Sequence, residues 1–445
     1  MGLSGIQIFK MLPKTNCKDC GVPTCLAFAM QLAAGKAELS ACPHVSEEAK
    51  AMLSEQSAPP IRTVAFGAGD NEVKIGGETV LYRHEKTFFN QTGIGVMIKD
   101  SEGADDVAGK LDRFNKLRFE RVGLMLRPEI VACKADGGDY AGLVGKVVAD
   151  TDAALVLIGD ADALKAGVDA AGDRKPLLFP ADAGAQDAVA ELAKDKGLPL
   201  GVKGNGLDDV TAQGEKFSGA GFKDLVLDTG TRKVGQLHTE LIAMRRLAIE
   251  KSFRPLGFPV ITFPCEMTDD PIYEAMIAGT LMAKYGSIAI LSDMKPETVF
   301  PLLLERLNIY TDPQRPMKTD EGIYPINDPG PESPVLITCN FSLTYFVVSG
   351  EIEASRVPTW LLVQDTEGLS VLTAWAAGKF VGDLVGSFVK KSGIEEKVSK
   401  RRLVLPGYTA VIMGDVEEEL GSDWEVMLGP REGGHIIPYL KQNFA

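Results

Sequence analysis

The chain has 445 residues, 45% of them apolar and 24% charged, and a formal net charge of −14. That length exceeds one ordinary hydrophobic core and predicts two or three domains. The negative balance excludes nonspecific nucleic-acid binding, which needs clustered Lys and Arg to displace counterions. No apolar run approaches the roughly 18 residues of a membrane span. The opening residues MGLSGIQIFKMLPK carry no secretory pattern, and Ile6 stands where an acylation signal needs Ser or Thr. The expectation is a cytoplasmic α/β multidomain protein with neither nucleic acid nor membrane among its partners.

Residues 1–57 hold four of the seven cysteines, spaced Cys17-x2-Cys20-x4-Cys25-x16-Cys42. In a reducing compartment clustered thiols hold metal more readily than they form disulfides. Four thiolates satisfy a [4Fe–4S] cube, one per iron. A Cys₄ zinc site is the competitor, although three close ligands and one remote Cys42-Pro43 suit the cluster better than the pair-and-pair pattern of zinc. Helix-like stretches CLAFAMQLAAGKAELS and VSEEAKAMLSEQ surround these thiols. Ser57-Ala58-Pro59-Pro60 ends the piece, because consecutive prolines stop a helix.

Residues 58–92 read as a linker and a β-hairpin, with TVAFGAGDNEVKIGGETVLYR turning at Gly76-Gly77. From about Lys86 to Leu307 short apolar runs alternate with helical patterns: KTFFN, RVGLM, ALVLI, PLLF, LPLGV, DLVLD, FPVIT and SIAIL. Eight strand–helix repeats predict a central TIM (β/α)₈ barrel over 93–312. Asn90, Asp160, Asp182, Asn205 and Asp228 end predicted strands, where barrel enzymes keep their chemistry; loop Asp and Asn also cap helices routinely. A Pro-rich linker follows at 313–333. Residues 334–445 carry strands VLITC, TWLLV, RLVLP and WEVML, a smaller Rossmann-like sheet.

Strand TWLLV runs into QDTEG and a helix that starts near Ser370. This sets the amides of Ser370, Val371, Leu372 and Thr373 at the carboxyl end of a strand, where open α/β sheets bind ligands. The alternative is that Ser370 simply caps its helix. Cys133, Cys265 and Cys339 sit in or beside apolar strands and read as buried small hydrophobes. The basic cluster Lys397, Lys400, Arg401 and Arg402 reads as a solvated face. Neither G-x-x-x-x-G-K-[ST] nor G-x-G-x-x-G occurs, so nucleotide and dinucleotide chemistry have no support.

The run C-x-x-C-G-x-x-x-C-x-x-F-A…G…C-P resembles the small [4Fe–4S] domain of corrinoid iron–sulfur proteins. VLITCNFSLTYFVVSGEIEASRVPTWLLVQDTEGLSVLTAWAAGKF, residues 335–380, resembles the corrinoid-binding domain of their large (gamma) subunits. The resemblance covers the whole chain and implies a methyl carrier. Corrinoid cobalt would accept methyl from methyltetrahydrofolate on a separate methyltransferase and pass it to acetyl-CoA synthase/CO dehydrogenase. The [4Fe–4S] cluster, held by Cys17, Cys20, Cys25 and Cys42, would return lost electrons to cobalt. The resemblance also implies a heterodimer with a small subunit, and cofactor contacts from Asn340, Phe346, Ser370, Val371, Leu372, Thr373 and Gly433. None of the four histidines, His44, His84, His238 and His435, stands in an Asp-x-His-x-x-Gly motif, so the implied cobalamin-type corrinoid is base-off with no protein imidazole on cobalt. Two other readings stand beside this one: an electron-transfer iron–sulfur protein, and a pterin-binding methyltransferase barrel.

Overall fold

A computed structural model of the chain describes residues 5–33, 37, 39–46, 49, 59–121, 124–312 and 317–445. Most of the expected helix VSEEAKAMLSEQ and the start of the Pro-rich stretch lie outside the described residues. The chain divides into two compact units. One comprises Met1–Leu81, Phe89–Lys116 and Pro128–Arg306; the other comprises Tyr82–Phe88, Leu117–Arg127 and Leu307–Ala445.

In the first unit, helices Gly5–Met11 and Cys25–Ala33 pack through Ile8, Leu12, Phe28 and Ala29, with Cys25 and Cys42 in the same small core. Strands β1 (Thr63–Phe66) and β2 (Val73–Gly76) form the expected antiparallel hairpin, but its turn spans Gly67–Glu72 rather than Gly76-Gly77. Then follow β3 (Gly93–Lys99), a short antiparallel pair β4 (Phe119–Arg121) and β5 (Leu124–Leu126), and β6 (Ile130–Lys134). The remaining barrel strands are β7 (Ala154–Gly159), β8 (Leu177–Pro180), β9 (Leu200–Lys203), β10 (Leu225–Asp228), β11 (Ile261–Thr262) and β12 (Ile288–Leu291).

Eight parallel strands run in the order β10-β9-β8-β7-β6-β3-β12-β11. A parallel bridge between Leu227 and Val260, with Leu227 N–H donating to Pro259 O at 2.9 Å, joins the two ends into a barrel. Inward-facing Met97, Ala132, Val156, Phe179, Val226, Phe263 and Ile290 fill it as a packed core. Val64, Phe66 and Ile75 of the β1–β2 hairpin belong to that core.

Two of the expected barrel strands are not strands of the barrel. KTFFN forms no strand, and RVGLM overlaps the β4–β5 pair, which belongs to the second unit and leaves Leu124 and Met125 exposed. Their places are taken by β3 and β6. Strand β3 reads GIGVMIK, and its two glycines weaken a strand signal. They are there for space: a Cβ on Gly93 would lie 2.5 Å from Ile130 Cδ1, and one on Gly95 would lie 2.8 Å from Ile130 Cβ. Two ion pairs brace the first unit, buried Arg306 with both oxygens of half-buried Glu129 at 2.7 and 2.8 Å, and the fully buried Arg245 with Glu78 at 3.2 Å.

The second unit is built on β13 (Gly322–Ile326), β14 (Val335–Cys339), β15 (Thr359–Gln364), β16 (Arg402–Leu405) and β17 (Glu425–Leu428), in the order β13-β15-β14-β16-β17. All neighbours are parallel except the edge strand β13. That strand lies inside the expected 313–333 linker; as an edge strand it tolerates Pro325, which has no N–H to donate. Alternate residues face opposite layers: Val335, Ile337 and Leu362 pack with Phe380, Val385 and Val416, whereas Leu336, Leu361 and Val404 pack with Ile352, Ile436 and Leu440. Among the described residues no helix is long and apolar enough to cross a membrane.

Candidate functional site

The four clustered thiols are free: Cys17 is exposed, Cys20 half-buried, and Cys25 and Cys42 buried. The loop that carries them has an unusual backbone. Lys14, Asn16 and Lys18 take φ of 60°, 50° and 72°, so φ changes sign at each step, and Gly21 follows at 76°. Left-handed conformation costs a non-glycine residue about 1–2 kcal/mol. Left-handed residues set between right-handed ones are the backbone pattern of the anion-binding nests found at phosphate and iron–sulfur sites, and the three positive φ values here are half of that pattern. Asn16 holds the loop against the start of helix Cys25–Ala33, accepting from Cys25 N–H through Oδ1 at 2.8 Å and donating its own N–H to Cys25 Sγ at 3.4 Å. These residues fit an iron–sulfur cluster.

The second site is in the sheet of the other unit. After β14 the chain moves to one side, to β15; after β16 it moves to the other side, to β17. Loops that diverge from adjacent parallel strands leave a crevice at their carboxyl ends. A cavity of about 390 Å³ lies there, with Ile337 and Thr338 of β14 and Leu405 of β16 in its walls. Leu343 and Val347 of helix Ser342–Ser355 and Ile436 of helix Ile436–Phe444 make it mostly apolar.

Of the residues expected here, Ser370, Val371, Leu372 and Gly433 line the cavity. Ser370 does not cap its helix: its hydroxyl pairs with Thr373 Oγ1 at 3.0 Å and no side chain bonds the first amides. Asn340 does not line it. This buried residue, 1% exposed, ties down the loop after β15. Its Oδ1 accepts from Thr366 N at 3.0 Å and Gly368 N at 2.9 Å, and its Nδ2 donates to Asp365 Oδ1 at 2.7 Å. Phe346 is likewise outside the lining and packs edge-on against Tyr345 at 5.0 Å.

Sequence reasoning missed one wall. The loops after β16 and β17 zip together, with Gly407 N–H donating to Pro430 O at 3.0 Å and Tyr408 Oη meeting Glu432 Oε1 at 2.5 Å. Arg431 lies 5.9 Å over the Tyr408 ring. A Cβ on Gly407 would fall 2.5 Å from Gly429 O and 2.7 Å from Arg431 N, so only glycine allows this approach. The pairs Leu405-Pro406-Gly407 and Leu428-Gly429-Pro430, each a strand end followed by Gly and Pro, carried the available signal.

The barrel mouth is a third polar place. Asp160 and Asp182 cap the turns that follow them. Asp228 chelates Arg232 at 3.0 and 2.9 Å, and Arg232 and Lys134 both reach Glu266, at 2.7 and 3.1 Å. Burial alone would raise the Glu266 carboxyl, but the two cations outweigh it and hold it below the ordinary range. The Arg232 guanidinium covers the Phe263 ring at 5.0 Å, and Phe263 leans on Phe179 at 5.4 Å. Asn90 is elsewhere, bonded to Gly76 O at 2.8 Å ahead of β3. Burial pushes the Cys133 thiol up to about 12 and raises Cys265 and Cys339 as well; Cys133 and Cys339 are buried as expected, whereas Cys265 is half-buried.

Residues 63–440 match the sequence family described as CO dehydrogenase/acetyl-CoA synthase delta subunit, and residues 12–44 match one described as an Fe–S cluster. Over 449 residues the chain is 41% identical to the corrinoid/iron-sulfur protein large subunit of Moorella thermoacetica, covering 100% of both chains. The chain belongs to the corrinoid/iron-sulfur protein large-subunit family. Within it, the acetyl-CoA decarbonylase/synthase complex subunit gamma of Methanopyrus kandleri is 36% identical over 459 residues, covering 99% of this chain and 98% of the relative. A solved dihydropteroate synthase of Yersinia pestis aligns with 49% of this chain and 94% of its own at 14% identity, with a TM-score of 0.36, too distant to bear on function.

Proposed function

We propose that this family member is the methyl-carrying subunit of an acetyl-CoA decarbonylase/synthase system, with a base-off corrinoid at the carboxyl edge of the C-terminal sheet and a [4Fe–4S] cluster on Cys17, Cys20, Cys25 and Cys42. A corrinoid bordered by Ser370, Val371, Leu372 and Gly433 would supply cobalt chemistry for carrying a methyl group between methyltetrahydrofolate on a methyltransferase and acetyl-CoA synthase, and a cluster on the four thiols would supply single electrons for its reactivation.

The observation that carries this reading is the apolar cavity at the strand-order switch, together with the alternating left-handed thiol loop on the same chain. The cavity of about 390 Å³ at the strand ends would hold part of a corrinoid against its apolar walls. Ser370, Val371, Leu372 and Gly433 border it; Asn340 acts through the loop it pins, and Thr373 through Ser370. Phe346 supports the helix that forms one wall. Partners in this reading are the small subunit, the methyltransferase and acetyl-CoA synthase/CO dehydrogenase, all in the cytoplasm. The barrel is a scaffold, because the charges at its mouth are spent on one another; methyltetrahydrofolate titrated into the full-length protein is expected to give no micromolar heat.

Elemental analysis of anaerobically purified protein tests the proposal: iron and cobalt together support it, and zinc without iron, or no cobalt, overturns it. Cys20→Ala is expected to lose reductive reactivation while pre-reduced protein still transfers methyl. Loss of both in a folded variant would remove the repair role.

A further inference from the structure

A second cavity, of about 370 Å³, lies at the carboxyl end of β15, and it shares no lining residue with the cavity at the strand-order switch. Gln364 is its floor. Side chains alternate along β15, so Gln364 faces the same layer as Leu362, which packs with Phe380 and Val385. On that side helix Gly382–Lys391 forms a wall through Leu384, Ser387, Phe388 and Lys391. Gln364 is 4% exposed, yet only half of its amide is satisfied. Nε2 donates to Lys379 O at 3.2 Å, which fixes the amide's orientation, and Oε1 accepts from nothing among the described residues. A buried acceptor without a donor is costly, and native proteins leave few of them.

The charges around this carbonyl are matched except for two. Glu367 pairs with Lys379. Asp365 lies 3.8 Å from Lys318 and accepts from Asn340 Nδ2 at 2.7 Å and from Glu367 N at 2.8 Å. Left over are Glu321 and Lys391, of opposite sign and without an ion pair among the described residues. Glu321 spends one oxygen on Asp365 N at 2.9 Å, and the register Gly322↔Val363 sets it beside Gln364. Ser387, one turn before Lys391, has a hydroxyl without a partner among the described residues. Leu384, 46% exposed, and Phe388 pair one turn apart on the same helix. We propose that this pocket binds a small zwitterion, an α-amino acid with an apolar side chain. Its ammonium group donates to Gln364 Oε1 beside Glu321, its carboxylate meets Lys391 and Ser387, and its side chain lies against Leu384 and Phe388. An anion would face Glu321 and bring no donor to the orphan carbonyl; a simple amine would leave Lys391 unmatched. The site lies outside the methyl-carrier reading and does not depend on it.

Three probes of one carbon skeleton dissect the two ends: L-leucine, isoamylamine, which lacks the carboxylate, and 4-methylpentanoate, which lacks the amine. Each is titrated into the full-length protein by calorimetry, with hydrogen exchange to locate the contact. Leucine should bind with a dissociation constant on the order of 1 mM or below, isoamylamine more weakly, and 4-methylpentanoate not at all. Leucine should also slow amide exchange at 365–369 and 384–391. Gln364→Leu, which replaces the half-satisfied amide with an apolar group of similar size, should weaken leucine and isoamylamine about tenfold. Lys391→Glu, on the exposed end of its helix, should weaken leucine alone, and it serves as the test should Gln364→Leu fail to fold. No leucine binding up to on the order of 10 mM, or 4-methylpentanoate binding as well as leucine, overturns the site. Leucine affinity unchanged in a folded Gln364→Leu or in Lys391→Glu, or exchange slowed only elsewhere, overturns it too. None of these results bears on the iron and cobalt content that tests the methyl-carrier reading.

Discussion

Asn340→Ala is the sharpest probe of how the cofactor edge is built. Removing the side chain strips the acceptor from two buried amides, Thr366 N and Gly368 N, and the donor from Asp365 Oδ1. The Thr366 hydroxyl loses less, because it can turn fully to Leu369 O at 2.8 Å. Each buried amide left without a partner costs about 1–3 kcal/mol, and partial hydration as the loop opens puts the sum near 3 kcal/mol. That is on the order of a 100-fold change in the folding equilibrium of this unit. The measurement is clean, since all three tryptophans, Trp360, Trp375 and Trp424, belong to the C-terminal unit. Urea unfolding followed by tryptophan fluorescence therefore reports on it. The expected outcome is a midpoint shift corresponding to ~3 kcal/mol, faster hydrogen exchange at 365–369, and loss of corrinoid on gel filtration. A shift below about 1 kcal/mol with corrinoid retained would refute the argument that Asn340 holds the loop.

Gly407→Ala should force the two loops apart at Gly429 O and Arg431 N, at a cost of about 1–3 kcal/mol, and lower the cobalt content; Gly433→Ala meets only the movable Val347 Cγ1 at 2.8 Å and should keep its cobalt. Burial holds the Glu274 carboxyl above the ordinary range, against the two bonds from Ser292. Its folded form keeps the proton to higher pH than the unfolded chain, so its contribution is complete below the ordinary glutamate range and is lost as pH rises through the raised value. Urea midpoints should therefore fall more for the unmodified protein than for Glu274→Gln as pH rises from the ordinary glutamate range toward neutral. Breaking the buried Arg245–Glu78 pair with Glu78→Ala should cost about 3–5 kcal/mol, read as a lower midpoint by far-ultraviolet circular dichroism. Electron paramagnetic resonance of the Co(II) form checks the base-off assignment: no nitrogen splitting is expected, and a splitting that disappears in His435→Ala would contradict it.

Much of the architecture was legible because it is written locally. Runs such as ALVLI and SIAIL are buried along their length, as parallel strands under helices must be, and their composition declares it. GIGVMIK was hidden because glycine at 93 and 95 answers to Ile130, thirty-odd residues away, and not to any strand preference. RVGLM misled for the opposite reason: its apolar residues are exposed in the short β4–β5 pair. The prolines around Gly322–Ile326 concealed an edge strand whose partner, Thr359–Gln364, comes later in the chain.

By itself the sequence determined the thiol quartet, the three-part order of the chain and the four parallel strands of the C-terminal sheet, since each depends on spacing within a few residues. Only the tertiary structure decided which side chains meet. It tied Asn340 into the loop after β15, set Phe346 against Tyr345, left the first amides after Ser370 without a side-chain cap, and brought Tyr408, Arg431 and Glu432 together as a wall. The reason is physical: the cavity draws its walls from Leu336 to Ile436, and contacts between residues so far apart in sequence are set by strand order and packing, which no local pattern encodes.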